Sequence, residues 1–158
     1  NETPYKNEKP NSLVVRLSRL KAKKAENKFK NAFILSADTV VYARKTFIDK
    51  TELKEQAVLN LKILSGRRHR VYTGVTFITD KKKIYNFSCM TSVKFKRLEK
   101  NDIDMYINTN QWKSSAGSYS ILGAASAFII NISGSCANVL GLPIHKVYPL
   151  LKKYNFFS

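Results

Sequence analysis

The side chain with the most chemical promise is Asp38. It interrupts Phe33-Ile34-Leu35-Ser36-Ala37-Asp38-Thr39-Val40-Val41, a near-continuous run of apolar and branched residues. A carboxylate in such a run is costly unless it is paired, hydrogen-bonded or bound to a cation. Two readings stand side by side. Asp38 is a strand-end residue capping a turn, or it is a metal ligand or general base with Thr39 as an adjacent polar contact. Lys21 is the second candidate. It falls beside Leu17 on a helical wheel, next to the apolar stripe, where a lysine either snorkels to solvent or points into a pocket. His69 sits in the basic run Arg67-Arg68-His69-Arg70, and His145 reads as a surface residue. Cys89 and Met90 read as packing. One carboxylate, scattered lysines and no nucleophile suggest metal-assisted work on a phosphorylated ligand. The cation would be held by Asp38 and the charge countered by lysine.

The elements that must position these groups follow from periodicity. Asn11 and Ser12 are candidate caps for a helix running to about Lys28, with Leu13, Val14, Leu17, Leu20 and Ala25 at helical spacing. Residues 33–41 read as a strand covered on both faces. Thr51 is a candidate cap for a second helix carrying Leu53, Ala57, Leu61 and Leu64, stopped at Ser65-Gly66. Val71–Ile78 and Lys83–Arg97 read as an antiparallel hairpin turning at Asp80–Lys83. Glu99–Thr109 reads as a helix with Asn101 as its cap. Gln111–Gly123 is a Ser/Gly-rich loop holding Trp112 and Tyr119, and Ala124–Ile132 reads as another strand. A short helix begins at Gly134-Ser135 and restarts at Pro143, with Val147, Leu150 and Leu151 closing the apolar face. The alternation predicts an α/β fold with a mixed twisted sheet and flanking helices.

Composition narrows the classes. The chain has 158 residues, suited to one domain. Its 28 Lys+Arg against 11 Asp+Glu give a formal charge of +17. Of these cations 21 are Lys and 7 are Arg, beside 13 Asn, which is what an A/T-rich coding sequence supplies. Sequence-specific base readers lean on arginine, so a solvated surface is favoured over nucleic acid as the meaning of the charge. No apolar run approaches the roughly 20 residues of a membrane span, and Asn1–Pro10 shows no secretory signal. Two cysteines make neither a disulfide framework nor a zinc site. A cytoplasmic location is therefore expected. No P-loop, dinucleotide fingerprint, nucleophile elbow or zinc spacing is present.

Two stretches carry a family likeness: Ser36-Ala37-Asp38-Thr39-Val40-Val41 and Leu64-Ser65-Gly66-Arg67-Arg68-His69-Arg70-Val71-Tyr72-Thr73-Gly74-Val75. Glu2-Thr3-Pro4, Arg16–Ala22, Ala116-Gly117-Ser118-Tyr119 and Gly134–Pro143 extend it in order and spacing. The sequence resembles the Maf family of nucleoside triphosphate pyrophosphatases. That resemblance implies a two-lobed architecture like that of Maf and inosine triphosphatase proteins, with a cleft between the lobes. It implies a cytoplasmic enzyme, in many members a homodimer, that converts a nucleoside triphosphate to the monophosphate and pyrophosphate with Mg²⁺ or Mn²⁺. Clearance of non-standard nucleotides is the implied role.

On the family pattern Asp38 is the proton acceptor and a metal ligand, Glu2 the second acidic metal-side residue, and Lys21 and Lys50 the phosphate-facing lysines. Thr39, Arg67 and Leu122 fall at substrate-side positions. The chain departs from the pattern at Asp49 and Thr51, which flank Lys50 in place of Gly and Pro, at Ser115 in place of Lys, and at Leu122 in place of Gln. Family members begin with a strand and a phosphate-gripping SxSxRR loop. The chain starts after that point, so residues 1–158 are expected to form one Maf-like domain that is N-terminally incomplete. Two alternatives accompany the enzymatic reading. One is a catalytically impaired remnant that only binds nucleotide or a partner. The other, ranked last, is a basic nucleic-acid-binding module.

Overall fold

The computed structural model describes residues 2–157. In chain order it contains α1 (Pro10–Lys28), β1 (Ile34–Ala43), β2 (Thr46–Ile48), α2 (Lys54–Leu64), β3 (Arg68–Ile78), β4 (Ile84–Phe95), α3 (Lys100–Asn108), 3₁₀ turns at Ala116–Ser118 and Ala124–Phe128, β5 (Ile129–Ser133), α4 (Cys136–Val139) and α5 (Ile144–Lys153). The strands form one five-stranded sheet in the order β2-β1-β3-β4-β5. The expected α/β class holds, with helices flanking a sheet. All four pairings are antiparallel, where a mixed sheet was anticipated. The tight β1–β2 hairpin turns the chain before α2 begins, so β3 returns antiparallel to β1 and no parallel crossover arises between them.

The two sheet faces are filled differently, because successive strand residues point to opposite sides. One face carries the main core. Val41, Ala43, Val71, Val93 and Phe95 meet Ala57, Leu61 and Leu64 of α2 and Ile103, Tyr106 and Ile107 of α3. Trp112, Tyr119 and Phe128 complete that layer, with the indole Nε1 of Trp112 donating to the Ile107 carbonyl at 2.9 Å. The other face receives α1, where Ala22, Ile34 and Ile78 cluster. Polar bonds fix the seat of that helix: Ser36 Oγ donates to Ser18 O at 2.6 Å, and Ser18 Oγ lies 2.9 Å from Thr76 Oγ1.

Several boundaries depart from the sequence expectations. α1 begins at Pro10, one residue before the anticipated caps, because proline at a first helical position has no amide hydrogen to leave unpaired. Thr51 does not cap α2 directly. Its hydroxyl accepts from Leu53 N one turn ahead of the helix. The cap of α3 is Glu99 rather than Asn101, in a reciprocal capping box with Asp102. Residues 124–132 divide into a 3₁₀ turn and a short strand. β2 reaches β1 only at Val41–Ala43, so among the described residues the edge of β1 from Ile34 to Val40 pairs with no strand on that side.

Candidate active site

Asp38 lies mid-strand on the α1 face of β1, opposite Gly74 of β3. Its Oδ1 accepts from Lys21 Nζ, reaching down from α1. The carboxylate side chain keeps 13% of its surface exposed and the lysine 46%, so the pair sits at a wall and not in the core. Gly74 makes the approach of α1 possible. A Cβ at that position would lie 2.2 Å from the Val14 carbonyl carbon and 2.5 Å from Val15 N. The bare glycine backbone is thus the seat of the helix, and the seat places Lys21 over Asp38.

The β1–β2 hairpin brings the next groups. Its turn residues Arg44 and Lys45 both have positive φ, 51° and 62°, which is the handedness a two-residue hairpin turn requires. The pairing ends at Val41 with Ile48, and the chain runs on as Asp49 and Lys50, which line one cavity with Val40 and Thr39. This cavity, of about 320 Å³, is lined among others by Glu2, Asp38, Thr39, Asp49, Lys50 and Ala116. Leu13 and Leu17 of α1 also line it, so it wraps the open edge of β1 from one sheet face to the other. The segment bearing Glu2 is tied down by Arg16, whose guanidinium donates to both Glu8 carboxylate oxygens at 2.8 and 2.7 Å and to Thr3 O at 3.1 Å. The Arg16 hydrogen bond holds the Glu8 carboxyl below its ordinary pKa and raises the guanidinium's in turn.

Thr39 points to the opposite face, into a second recess of about 240 Å³ lined by Ser114, Ser115, Tyr119, Ser120, Leu140 and Gly141 among others. Thr39 and Ala116 line both spaces, so the two adjoin. Asn60 of α2 braces their walls. Its buried amide donates to Asp49 O at 3.0 Å and to Ser118 Oγ at 2.8 Å. Behind the recess, His69 is 1% exposed and its Nε2 shares a 2.7 Å hydrogen bond with Tyr119 OH. Burial lowers the His69 pKa to about 4, so the imidazole is neutral near pH 7. Asn138 of α4 is fully buried. Its amide donates to Val71 O at 3.2 Å and Thr91 Oγ1 at 3.0 Å, locking the α4 segment to the sheet.

The sequence profile of a family described as Maf-like protein matches residues 1–154. The chain belongs to the Maf family. It is 40% identical over 161 residues to a dTTP/UTP pyrophosphatase of Chelativorans sp. (strain BNC1), covering 98% of this chain and 77% of that protein. It is 42% identical to a dTTP/UTP pyrophosphatase of Agrobacterium fabrum, with 98% and 78% covered. A nucleoside triphosphate pyrophosphatase of Ehrlichia ruminantium is 41% identical, with 97% and 80% covered.

Within this Maf domain the structure brings Glu2, Asp38, Thr39 and Lys50 to one cavity, with Lys21 bonded at its wall. Asp49 joins them, and Ser115 lines the recess. Arg67 and Leu122 line neither space. Arg67 precedes β3, seven residues before Gly74, which is roughly 20 Å along the strand from Asp38. Leu122 is 78% exposed and lies outside the recess that its neighbours Ser120 and Ile121 line. Asn60, Thr73, Tyr119 and Asn138 were not singled out from the sequence as site residues. The hint for Asn60 was a lone amide on the apolar side of a helix pattern. Among the described residues no three His, Cys, Asp or Glu side chains stand close enough to hold a metal ion by themselves. Hard carboxylate oxygens in one cavity still suit Mg²⁺ or Mn²⁺ in the mode where one or two carboxylates and substrate phosphates share the ion. No helix among the described residues is long and apolar enough to cross a membrane.

Proposed function

We propose that this Maf protein hydrolyses nucleoside triphosphates to the monophosphate and pyrophosphate, with thymidine and uridine triphosphates as the substrate class. The observation that carries the reading is the pair of adjoining spaces. One holds the charged side chains Glu2, Asp38, Asp49 and Lys50 among aliphatic ones; the other is a recess of aromatic, aliphatic and hydroxyl side chains that holds no charged one. The names of the relatives above supply the bases.

The polyphosphate lies in the first space and the nucleoside in the second. Asp38 accepts a proton from the attacking water, which adds to the α-phosphorus while the bond to the bridging oxygen breaks and pyrophosphate leaves. Lys21 orients the carboxylate through its ion pair. Lys50 offsets the negative charge that gathers on the leaving oxygens. A divalent cation, held by Asp38 and Glu2 and by the phosphates, supplies Lewis-acid stabilisation when bound. The exposed apolar residues of α5, Ile144 and Tyr148, leave room for self-association, and a homodimer is part of the proposal.

The deciding assay follows pyrophosphate release from dTTP, UTP, dATP and dGTP with Mg²⁺ or Mn²⁺, for wild type and Asp38→Asn. Release from dTTP and UTP that drops about 10²-fold or more in the variant supports the assignment. Release that persists in the variant removes Asp38 from the chemistry.

A further inference from the structure

The hydroxyls at the junction of the two spaces form a chain whose direction is determined. Thr73 Oγ1 lies 2.9 Å from the backbone carbonyl of Asn138, which can only accept. A threonine hydroxyl has one proton. Thr73 is wholly buried and spends its proton on that carbonyl. Thr39 Oγ1 lies 2.8 Å from Thr73 Oγ1, so in this contact Thr39 must be the donor. The Thr39 oxygen is left with lone pairs alone. Gly141 stands across from it: a Cβ there would lie 3.6 Å from Thr39 Oγ1, so the absence of a side chain leaves the hydroxyl uncovered toward the recess.

We infer that Thr39 reads a hydrogen-bond donor on the substrate, namely the 3′-hydroxyl of its sugar, and that Thr73 is the positioning residue imposing this polarity. The inference rests on the triphosphate reading above. Phosphate oxygens offer acceptors only at this point and are repelled by lone pairs. Thr39 lines both spaces, and the sugar is the part of a nucleotide that joins phosphate to base. The 3′-hydroxyl is common to thymidine and uridine nucleotides. The one other donor that thymidine and uridine nucleotides share is the base imide N–H.

The test compares kcat/KM for dTTP, its 2′,3′-dideoxy form, 3′-O-methyl dTTP and N3-methyl dTTP in wild type, Thr39→Val, Thr39→Ser and Thr73→Val. Wild type is expected to favour dTTP over the dideoxy form by about tenfold, the scale of one well-made hydrogen bond whose partner would otherwise go unpaired. Thr39→Val brings the ratio near one, and Thr39→Ser retains it. In Thr73→Val the Thr39 proton is free to go to a 3′ acceptor, so 3′-O-methyl dTTP, which accepts but cannot donate and is disfavoured in wild type, is expected to gain on dTTP. A merely structural Thr73 would slow both substrates alike and leave their ratio unchanged. If Thr39→Val instead erases discrimination against N3-methyl dTTP, the donor reading holds and the sugar assignment falls. A dideoxy ratio that Thr39→Val leaves intact, with no N3-methyl effect, overturns the inference. If wild type releases pyrophosphate from no triphosphate, the functional reading fails separately. Calorimetry with thymidine monophosphate and its 3′-deoxy form then decides the inference, with equal affinities overturning it.

Discussion

Gly74→Ala acts on the seat of α1 without touching a charged group. The added methyl would stand 2.2 Å from the Val14 carbonyl carbon, whereas ordinary contact begins at 3.4 Å. The helix must retreat by about 1.2 Å, since the obstacle is backbone and has no rotamer by which to escape. Overpacking of this kind costs about 1–3 kcal/mol. In a domain of this size that lowers Tm by roughly 2–12 °C. The same retreat carries Lys21 off Asp38, and displacements near 1 Å in a positioned site cost about 10²-fold in rate. Differential scanning calorimetry gives the first quantity, and pyrophosphate release well below Tm gives the second. A variant with lower Tm but unchanged kcat/KM would show that the helix seat does not position Lys21. Unchanged values of both would refute the close approach itself.

Two further perturbations test the supports of the site. Asn60→Ala removes both donors that brace Asp49 and Ser118, at about 2 kcal/mol of stability, and is expected to raise KM more than it lowers kcat because the Lys50 turn loosens; steady-state kinetics beside urea unfolding checks both. His69 has a folded-state pKa of about 4 against 6.5 when unfolded, so between those values the unfolded chain binds the extra proton and stability rises with pH. Acidification from about 6.5 to 4 should therefore remove roughly 3 kcal/mol, and His69→Phe should flatten that part of a urea-midpoint profile.

The parts of the fold set by periodicity were readable in advance. The β3–β4 hairpin, α1 and α2 follow from apolar spacing, and Asp38 stood out because a carboxylate in an apolar strand demands a reason. What was not readable depends on contacts distant along the chain. Asn60 and Ser118 are 58 positions apart, and Thr73 and Asn138 are 65 apart, so no local pattern flags either bond. His69 looked like one member of a basic run because alternation buries it while Arg68 and Arg70 face solvent. Arg67 and Leu122 show the reverse effect. A residue within a recognisable motif need not point into the site the motif builds.

The indole of Trp112 belongs to the main core, its N–H bonded to Ile107 O. It is the single tryptophan in the chain, and it begins the loop whose next members, Ser114 and Ser115, line the recess. Lys113 Nζ stands 5.7 Å from its ring. The domain therefore has one indole, enclosed and anchored by its N–H, with an ammonium beside it on the segment that lines the recess. Excited selectively at the red edge of the absorption, this buried indole reports on the fold of the unlabelled chain, and a shift of its emission to longer wavelength marks unfolding.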